Sequence, residues 1–196
     1  MQFSLELSVT AYTEKQLLDN ADAKVVLAGR SNVGKSSLLN ALSGRTLAKI
    51  SSTPGKTQSV NYYRVPDRSL YLIDLPGYGY AVAAREKRKA WGKLIETFFA
   101  TVTGLKTICV LLDARLEPQK NDIRMVGFAQ EKGFPVTGVL TKTDKCSRSM
   151  IAERVRAWSV LLKGDIFVTS AKNRTGLEEL RAFILGFCTE EVLQPG

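Results

Sequence analysis

One stretch of this chain leaves little freedom in how the rest can fold: Gly29-Arg30-Ser31-Asn32-Val33-Gly34-Lys35-Ser36. It satisfies the spacing G-x-x-x-x-G-K-S, follows the apolar run Lys24 to Ala28 (KVVLA), and leads into SSLLNALSG, a helical pattern closed by Gly44. Strand, loop and helix in that order make a phosphate cradle. Gly29 and Gly34 let the backbone wrap so that its N–H groups face a β-phosphate, and the helix N-terminus adds positive potential. Lys35 supplies a full charge to the β- and γ-phosphates. Ser36 offers its hydroxyl to Mg²⁺, with Ser37 beside it in the first turn.

The rest of the chain continues the alternation. Arg45 to Ser59 carries Ser, Thr, Pro and Gly without periodicity and is too long for a tight connection, so it reads as a functional or mobile loop. Asn61 to Val65 and Ser69 to Leu75 flank Pro66-Asp67-Arg68, a β-hairpin that supplies the one antiparallel pair. From Arg85 to Val102, Trp91, Leu94, Ile95, Phe98 and Val102 recur at helical spacing. Strand-like ICVLLDA (108 to 114) and PVTGVLT (135 to 141) then alternate with helical stretches at Gln119 to Lys132 and Ser149 to Leu162. Asp165 to Thr169 gives a last strand, and Leu177, Leu180, Ile184 and Phe187 mark a closing helix. The expected fold is α/β: a largely parallel six-stranded sheet with helices on both faces, in one domain spanning 1–196 with a core of about 22–190 after a short N-terminal extension. In such sheets ligands bind at the C-terminal ends of the strands.

Composition removes several chemistries. The chain has no histidine, which excludes a His general base, a Ser-His-Asp triad and imidazole zinc sites. Cys109, Cys146 and Cys188 are odd in number and widely spaced, as expected of reduced structural thiols. The N-terminus lacks a basic region followed by an apolar stretch, and no run approaches the roughly 20 apolar residues of a membrane span, so the expected location is the cytoplasm. With 28 Lys and Arg against 19 Asp and Glu, a net charge of +9 favours polyanionic partners such as RNA, although many solvated helices carry the same excess.

Three further segments end predicted strands at the same edge of the sheet. In Asp74-Leu75-Pro76-Gly77 the carboxylate can hold a magnesium water and Gly77 can offer its N–H to a γ-phosphate. In Thr141-Lys142-Thr143-Asp144, Asp144 can accept two parallel hydrogen bonds from N1–H and the exocyclic amine of guanine, a donor pair that adenine lacks. The Lys142 stem can cover the base, and Ser170-Ala171-Lys172 can place a backbone N–H against the guanine O6. Each segment alone is also a common turn or cap. Four of them in this order, all after strands, point to a guanine nucleotide and Mg²⁺.

These are the motifs of the Ras-like GTPase domain, and GRSNVGKSSLLNAL, STPGKTQSVNYY, DLPGYGYA and LTKTDK resemble the EngB/YihA family of bacterial GTPases over nearly the whole chain. The resemblance implies a three-layer fold with sheet order 2-3-1-4-5-6, binding of GTP, GDP and Mg²⁺, and a role in assembly of the large ribosomal subunit, with ribosomal RNA as partner. It also implies a link to septation and cell division; a monomer is expected, with neither DNA nor a membrane as partner. Within PGKTQ (Gly55, Lys56, Thr57), it makes Thr57 the switch threonine that completes the magnesium shell and senses the γ-phosphate. Metal contacts would then be Ser36 and Thr57, with Asp74 acting through water. The catalytic set would be Lys35, Thr57, Gly77 and Asn32, the last by helping to hold a K⁺ beside the phosphates, as in some related GTPases.

Two departures from the general pattern matter. Tyr78 stands where many relatives carry a water-orienting glutamine, so slow intrinsic hydrolysis is expected. Thr141 stands where Asn is commoner, which alters the tether between this loop and the phosphate loop and leaves base specificity resting on Asp144. A metabolic kinase or ATPase would gain nothing from Asp144 and the Ser170 loop. A septation switch acting through protein partners differs only in its partner. For an RNA-bound protein, the segment Arg85, Lys87, Arg88, Lys89 and Lys93 just after the DLPG turn is the expected contact, with Lys142, Lys145 and Arg148 next in order.

Overall fold

A computed structural model of the chain describes residues 3–47, 59–78 and 85–188. Among these residues, seven strands form one sheet in the order β1-β3-β4-β2-β5-β6-β7. They are β1 (Glu6–Ala11), β2 (Ala23–Gly29), β3 (Val60–Arg64), β4 (Leu70–Asp74), β5 (Leu105–Asp113), β6 (Val136–Thr141) and β7 (Ile166–Val168). The helices are α1 (Lys35–Ser43), α2 (Arg85–Thr101), α3 (Lys120–Glu131), α4 (Arg148–Leu161) and α5 (Leu177–Leu185).

From β2 onward this is the expected order 2-3-1-4-5-6, and the sheet gains one edge strand. Residues 6–11 belong to the N-terminal extension that the sequence predicts ahead of the core. They pair antiparallel with β3, from Glu6 opposite Arg64 to Ala11 opposite Val60, with an irregularity between Leu7 and Val9. The expected single antiparallel pair is therefore two, β1–β3 and β3–β4, while among the described strands β3 is the one that runs against the others. The segment 3–11 carries the two-residue period of a half-covered strand, Phe3, Leu5, Leu7, Val9 and Ala11 alternating with Ser4, Glu6, Ser8 and Thr10, and Leu5 and Ala11 are buried.

Every residue of β2 is buried. Alternate side chains face opposite layers, as the two-residue period requires. Val25 and Leu27 join Leu38, Leu39 and Leu42 of α1 and Leu177, Leu180 and Ile184 of α5 on one side. Val26 and Ala28 join Leu94 and Phe98 of α2, Val126 of α3 and Trp158 of α4 on the other. Helices on both faces leave the C-terminal strand ends as the open edge, and β2, β4, β6 and β7 all deliver their following loops there.

Candidate functional site

The loop after β2 is shaped by its neighbour. Leu75 N donates to Leu27 O at 3.1 Å, Tyr78 N to Gly29 O at 3.2 Å and Ser31 N to Tyr78 O at 3.1 Å, so the chain after β4 runs along the phosphate loop. Gly77 is required by this close approach. A Cβ on it would lie 2.9 Å from Ser31 N and 3.0 Å from Ser31 Cα, backbone atoms that cannot swing aside. α1 then opens at Lys35 behind Gly34, directing its unpaired N–H groups and positive dipole end at the same edge.

Lys35 and Asp74 carry opposite charges that act on each other at this loop. Burial lowers the pKa of Lys35 while the charge of Asp74 opposes the shift. Burial pushes the Asp74 carboxyl up to about 6, against the pull of Lys35 and of a hydrogen bond from Asn61. Asp74 is buried, and its Oδ1 has no hydrogen-bond partner among the described residues. An orphaned buried carboxylate oxygen near an ammonium is the donor expected beside a hard cation or its water. With the Ser36 hydroxyl at the head of α1, these residues fit Mg²⁺. No group of three or more acidic or thiol side chains among the described residues is arranged to hold a metal unaided, so most oxygen ligands of such an ion must come from a nucleotide and water.

A cavity of about 470 Å³ opens beside the loop, lined by Gly34, Ser37, Thr141, Lys142, Asp144 and Ala171 among others. Thr141 is where the tether was expected to differ, and its hydroxyl spans the gap, lying 2.8 Å from Val33 O and 3.2 Å from Leu112 O. Thr143 Oγ1 donates to Thr169 O at 2.9 Å, binding the loop after β6 to the end of β7. Ser170 Oγ donates to Asp144 Oδ1 at 2.7 Å and accepts from Asn173 N at 3.1 Å. One oxygen of Asp144 is thus fixed by its neighbours, which orients the carboxylate.

Lys142 sits in a left-handed backbone conformation, φ 58°. Its Nζ donates to Asn32 O at 2.6 Å and to Asp113 Oδ2 at 2.9 Å, stretching the stem across the cavity wall. Asp113 was not singled out in the sequence, where it is only the end of an apolar strand. Burial by itself would raise the Asp113 carboxyl, but hydrogen bonds from Arg115 and Lys142, with the charge of Lys142, outweigh it and hold the carboxyl at about 2. A folded-state pKa below the unfolded value adds stability that is present above the unfolded pKa and lost as pH falls toward 2. Asp113→Asn is therefore expected to flatten the acid limb. Urea unfolding at pH 5 and pH 2 should show wild type losing about 1 to 2 kcal/mol more than the variant, after solvent screening is allowed for. Equal losses would mean that Asp113 is not held low.

The structure brings Gly29 to Ser37, Asp74 to Gly77, Thr141, Lys142, Asp144 and Ser170 to Lys172 to one edge of the sheet. The Asn32 side chain is exposed. Gly55, Lys56 and Thr57 lie outside the described residues, as do the side chains of Arg85, Lys87, Arg88 and Lys89. Lys93 forms an exposed ion pair with Glu14 at 3.1 Å. Asp122 of α3 was also missed, and it meets Tyr78 and Arg30 from the far side of the loop.

Comparison with known proteins gives a consistent picture. The family described as 50S ribosome-binding GTPase matches residues 24–142. A probable GTP-binding protein EngB of Desulfovibrio desulfuricans is 48% identical over 181 residues, covering 92% of this chain and 90% of that protein. Its counterpart in Nitratidesulfovibrio vulgaris is 48% identical over 192 residues, covering 95% and 89%. Among solved structures, a probable GTP-binding protein EngB aligns with a TM-score of 0.68 at 21% identity, covering 84% of this chain and 98% of that one. Era in complex with MgGDPNP and nucleotides of 16S ribosomal RNA aligns with a TM-score of 0.67 at 24% identity, covering 90% and 60%. At these identities the solved structures speak for the fold.

Proposed function

This chain belongs to the EngB family of GTP-binding proteins and is a GTPase, and from that premise we propose that it serves as a slow, Mg²⁺-dependent switch in assembly of the large ribosomal subunit. The family description, 50S ribosome-binding GTPase, carries the choice of partner. The geometry supports the roles. Lys35 and the N-terminus of α1 hold the β- and γ-phosphates, Asp144 with Lys142 and the Ser170 to Lys172 loop hold guanine, and the Gly77 N–H contacts the γ-phosphate. Ser36, with Thr57 and a water on Asp74, would hold Mg²⁺. When bound, that ion neutralises charge on the phosphate oxygens. Asn32 remains the proposed aid to a bound K⁺.

The same reading places the protein in the cytoplasm. Among the described residues no helix is long and apolar enough to cross a membrane. A partner surface that responds to nucleotide must be joined to the element that senses the γ-phosphate. α2 begins at Arg85, shortly after Gly77, and carries Lys87, Arg88, Lys89 and Lys93. Ordering of Gly77 by GTP would then aim those charges at ribosomal RNA phosphates.

Co-sedimentation with large ribosomal subunits in a non-hydrolysable GTP analogue tests this. Reversing the five charges together should weaken association at least tenfold, and should reduce the salt dependence by roughly one unit of log–log slope per lost phosphate contact. GTP turnover away from the ribosome should stay near wild type. Unchanged binding across a salt series would remove this segment from the interface and move attention to Lys142, Lys145 and Arg148. No nucleotide-dependent sedimentation of the wild-type protein would favour the septation switch that acts through protein partners.

A further inference from the structure

Along α3, Asp122, Val126 and Ala129 are the buried positions, one stripe at helical spacing facing the sheet. Two are the apolar residues such a stripe needs. The third is a carboxylate with 2% exposure, and packing by itself does not ask for one there.

Its two oxygens serve different elements. Oδ1 accepts from the Tyr78 hydroxyl at 2.8 Å. Oδ2 lies 3.1 Å from Arg30 Nε, whose N–H is not aligned with any acceptor, so this contact is an ion pair rather than a hydrogen bond. Arg30 and Tyr78 are also paired with each other as a parallel bridge through their main chains. Directly paired residues on neighbouring strands project their side chains to the same face. One buried carboxylate therefore receives both side chains of the bridge that joins the phosphate loop to the segment after Asp74. Burial raises the Asp122 carboxyl while Tyr78 and Arg30 oppose that shift, in keeping with a charge tolerated only because both partners are present.

We propose that Asp122 is a positioning residue for the γ-phosphate contact: by holding Tyr78 against Arg30 it fixes the Gly77-Tyr78 peptide at the phosphate loop, and so sets how strongly the protein prefers GTP to GDP. The inference rests on the reading of Gly77 as that contact. Tyr78 uses its own N–H and carbonyl on Gly29 and Ser31, so the peptide just before it is bracketed at a defined distance from the loop. While its hydroxyl is bound to Asp122, the Tyr78 ring is kept on the α3 side and does not orient water. The tyrosine at the position of the usual glutamine is an anchor.

The test measures affinities of the full-length protein for GDP and for a non-hydrolysable GTP analogue by calorimetry, together with thermal unfolding. Asp122→Ala is expected to lower affinity for the GTP analogue about tenfold while changing that for GDP less than about twofold. Tyr78→Phe should act in the same direction more weakly, and the double variant should be no worse than Asp122→Ala alone. Asp122→Asn, which keeps the shape and an acceptor for Tyr78, should fall between. Ile123→Ala, at the exposed neighbouring position on α3, should match wild type. Equal losses for both nucleotides, or additive effects of Asp122→Ala and Tyr78→Phe, would overturn the proposal and leave Asp122 a packing residue. If Asp122→Ala does not fold, Tyr78→Phe and Asp122→Asn decide by the same ratio. Gly77→Ala separates the two levels. A ratio unchanged in Gly77→Ala removes Gly77 as the γ-phosphate contact, whereas a collapse in Gly77→Ala without one in Asp122→Ala removes only the role of Asp122.

Discussion

Asp144→Asn is expected to lower affinity for GTP by about a hundredfold and to raise affinity for xanthosine triphosphate. The carboxylate can accept from both N1–H and the exocyclic amine of guanine, and a hydrogen bond to a charged group contributes about 1.5 to 3 kcal/mol. A total near 3 kcal/mol corresponds to about two decades in dissociation constant. The structure says which atom changes. Oδ1 of Asp144 is already bound to Ser170 Oγ, and Ser170 is pinned by Asn173 N, so an asparagine would keep its carbonyl oxygen on Ser170 and turn its amide toward the base. An amide there confronts the guanine donors but meets the carbonyl that xanthine carries in place of the amine. Lys142 does not compensate, because its ammonium is committed to Asp113 and Asn32 O. Calorimetric titration with both nucleotides decides the matter, and an unchanged GTP affinity would sink the assignment of Asp144.

What could be read from the sequence here was whatever a local pattern enforces. KVVLA before G-x-x-x-x-G-K-S fixes a buried strand, a loop and a helix regardless of the rest of the chain, and β2 and α1 lie where that reading puts them. The later strands followed from apolar runs, and their order came from family resemblance. The edge strand β1 carries a two-residue period, Leu7, Val9 and Ala11 between Glu6, Ser8 and Thr10, but nothing local names its partner β3, which is remote in sequence. Asp113 and Asp122 escaped for a related reason. A single carboxylate at the end of ICVLLDA, or within a helix, has no spacing to mark it, and its role arises only when the fold brings Lys142, or Arg30 and Tyr78, against it. Thr141 shows the intermediate case. Its position identified the tether as altered, but only the fold shows the shorter hydroxyl reaching Val33 O.

Gly176→Ala is expected to be the most damaging single methyl group that can be added near the site. Gly176 precedes α5 with φ +67°, in the region where a side chain carries a steric cost of roughly 1 to 2 kcal/mol. Its Cβ would also stand 2.0 Å from Val168 O and 3.1 Å from Val168 C, both backbone atoms of β7. Relief requires moving either β7 or the start of α5, and α5 is locked into the core by Leu177, Leu180 and Ile184. The combined cost should reach about 3 kcal/mol, which for a chain of this size lowers the melting temperature by roughly 6 to 12 °C. The damage should not stay local. Ser170 N donates to Thr175 O at 3.0 Å, so displacing Gly176 pulls on the residue whose hydroxyl orients Asp144. Guanine affinity should therefore fall along with stability. Saturating GDP should recover part of the melting temperature by mass action, but less than it adds to wild type at the same concentration. Thermal unfolding with and without GDP provides the check. A variant that melts within a degree of wild type would show that β7 yields freely, and a variant that is destabilised but gains the full GDP increment would show that the Ser170 loop does not depend on this turn.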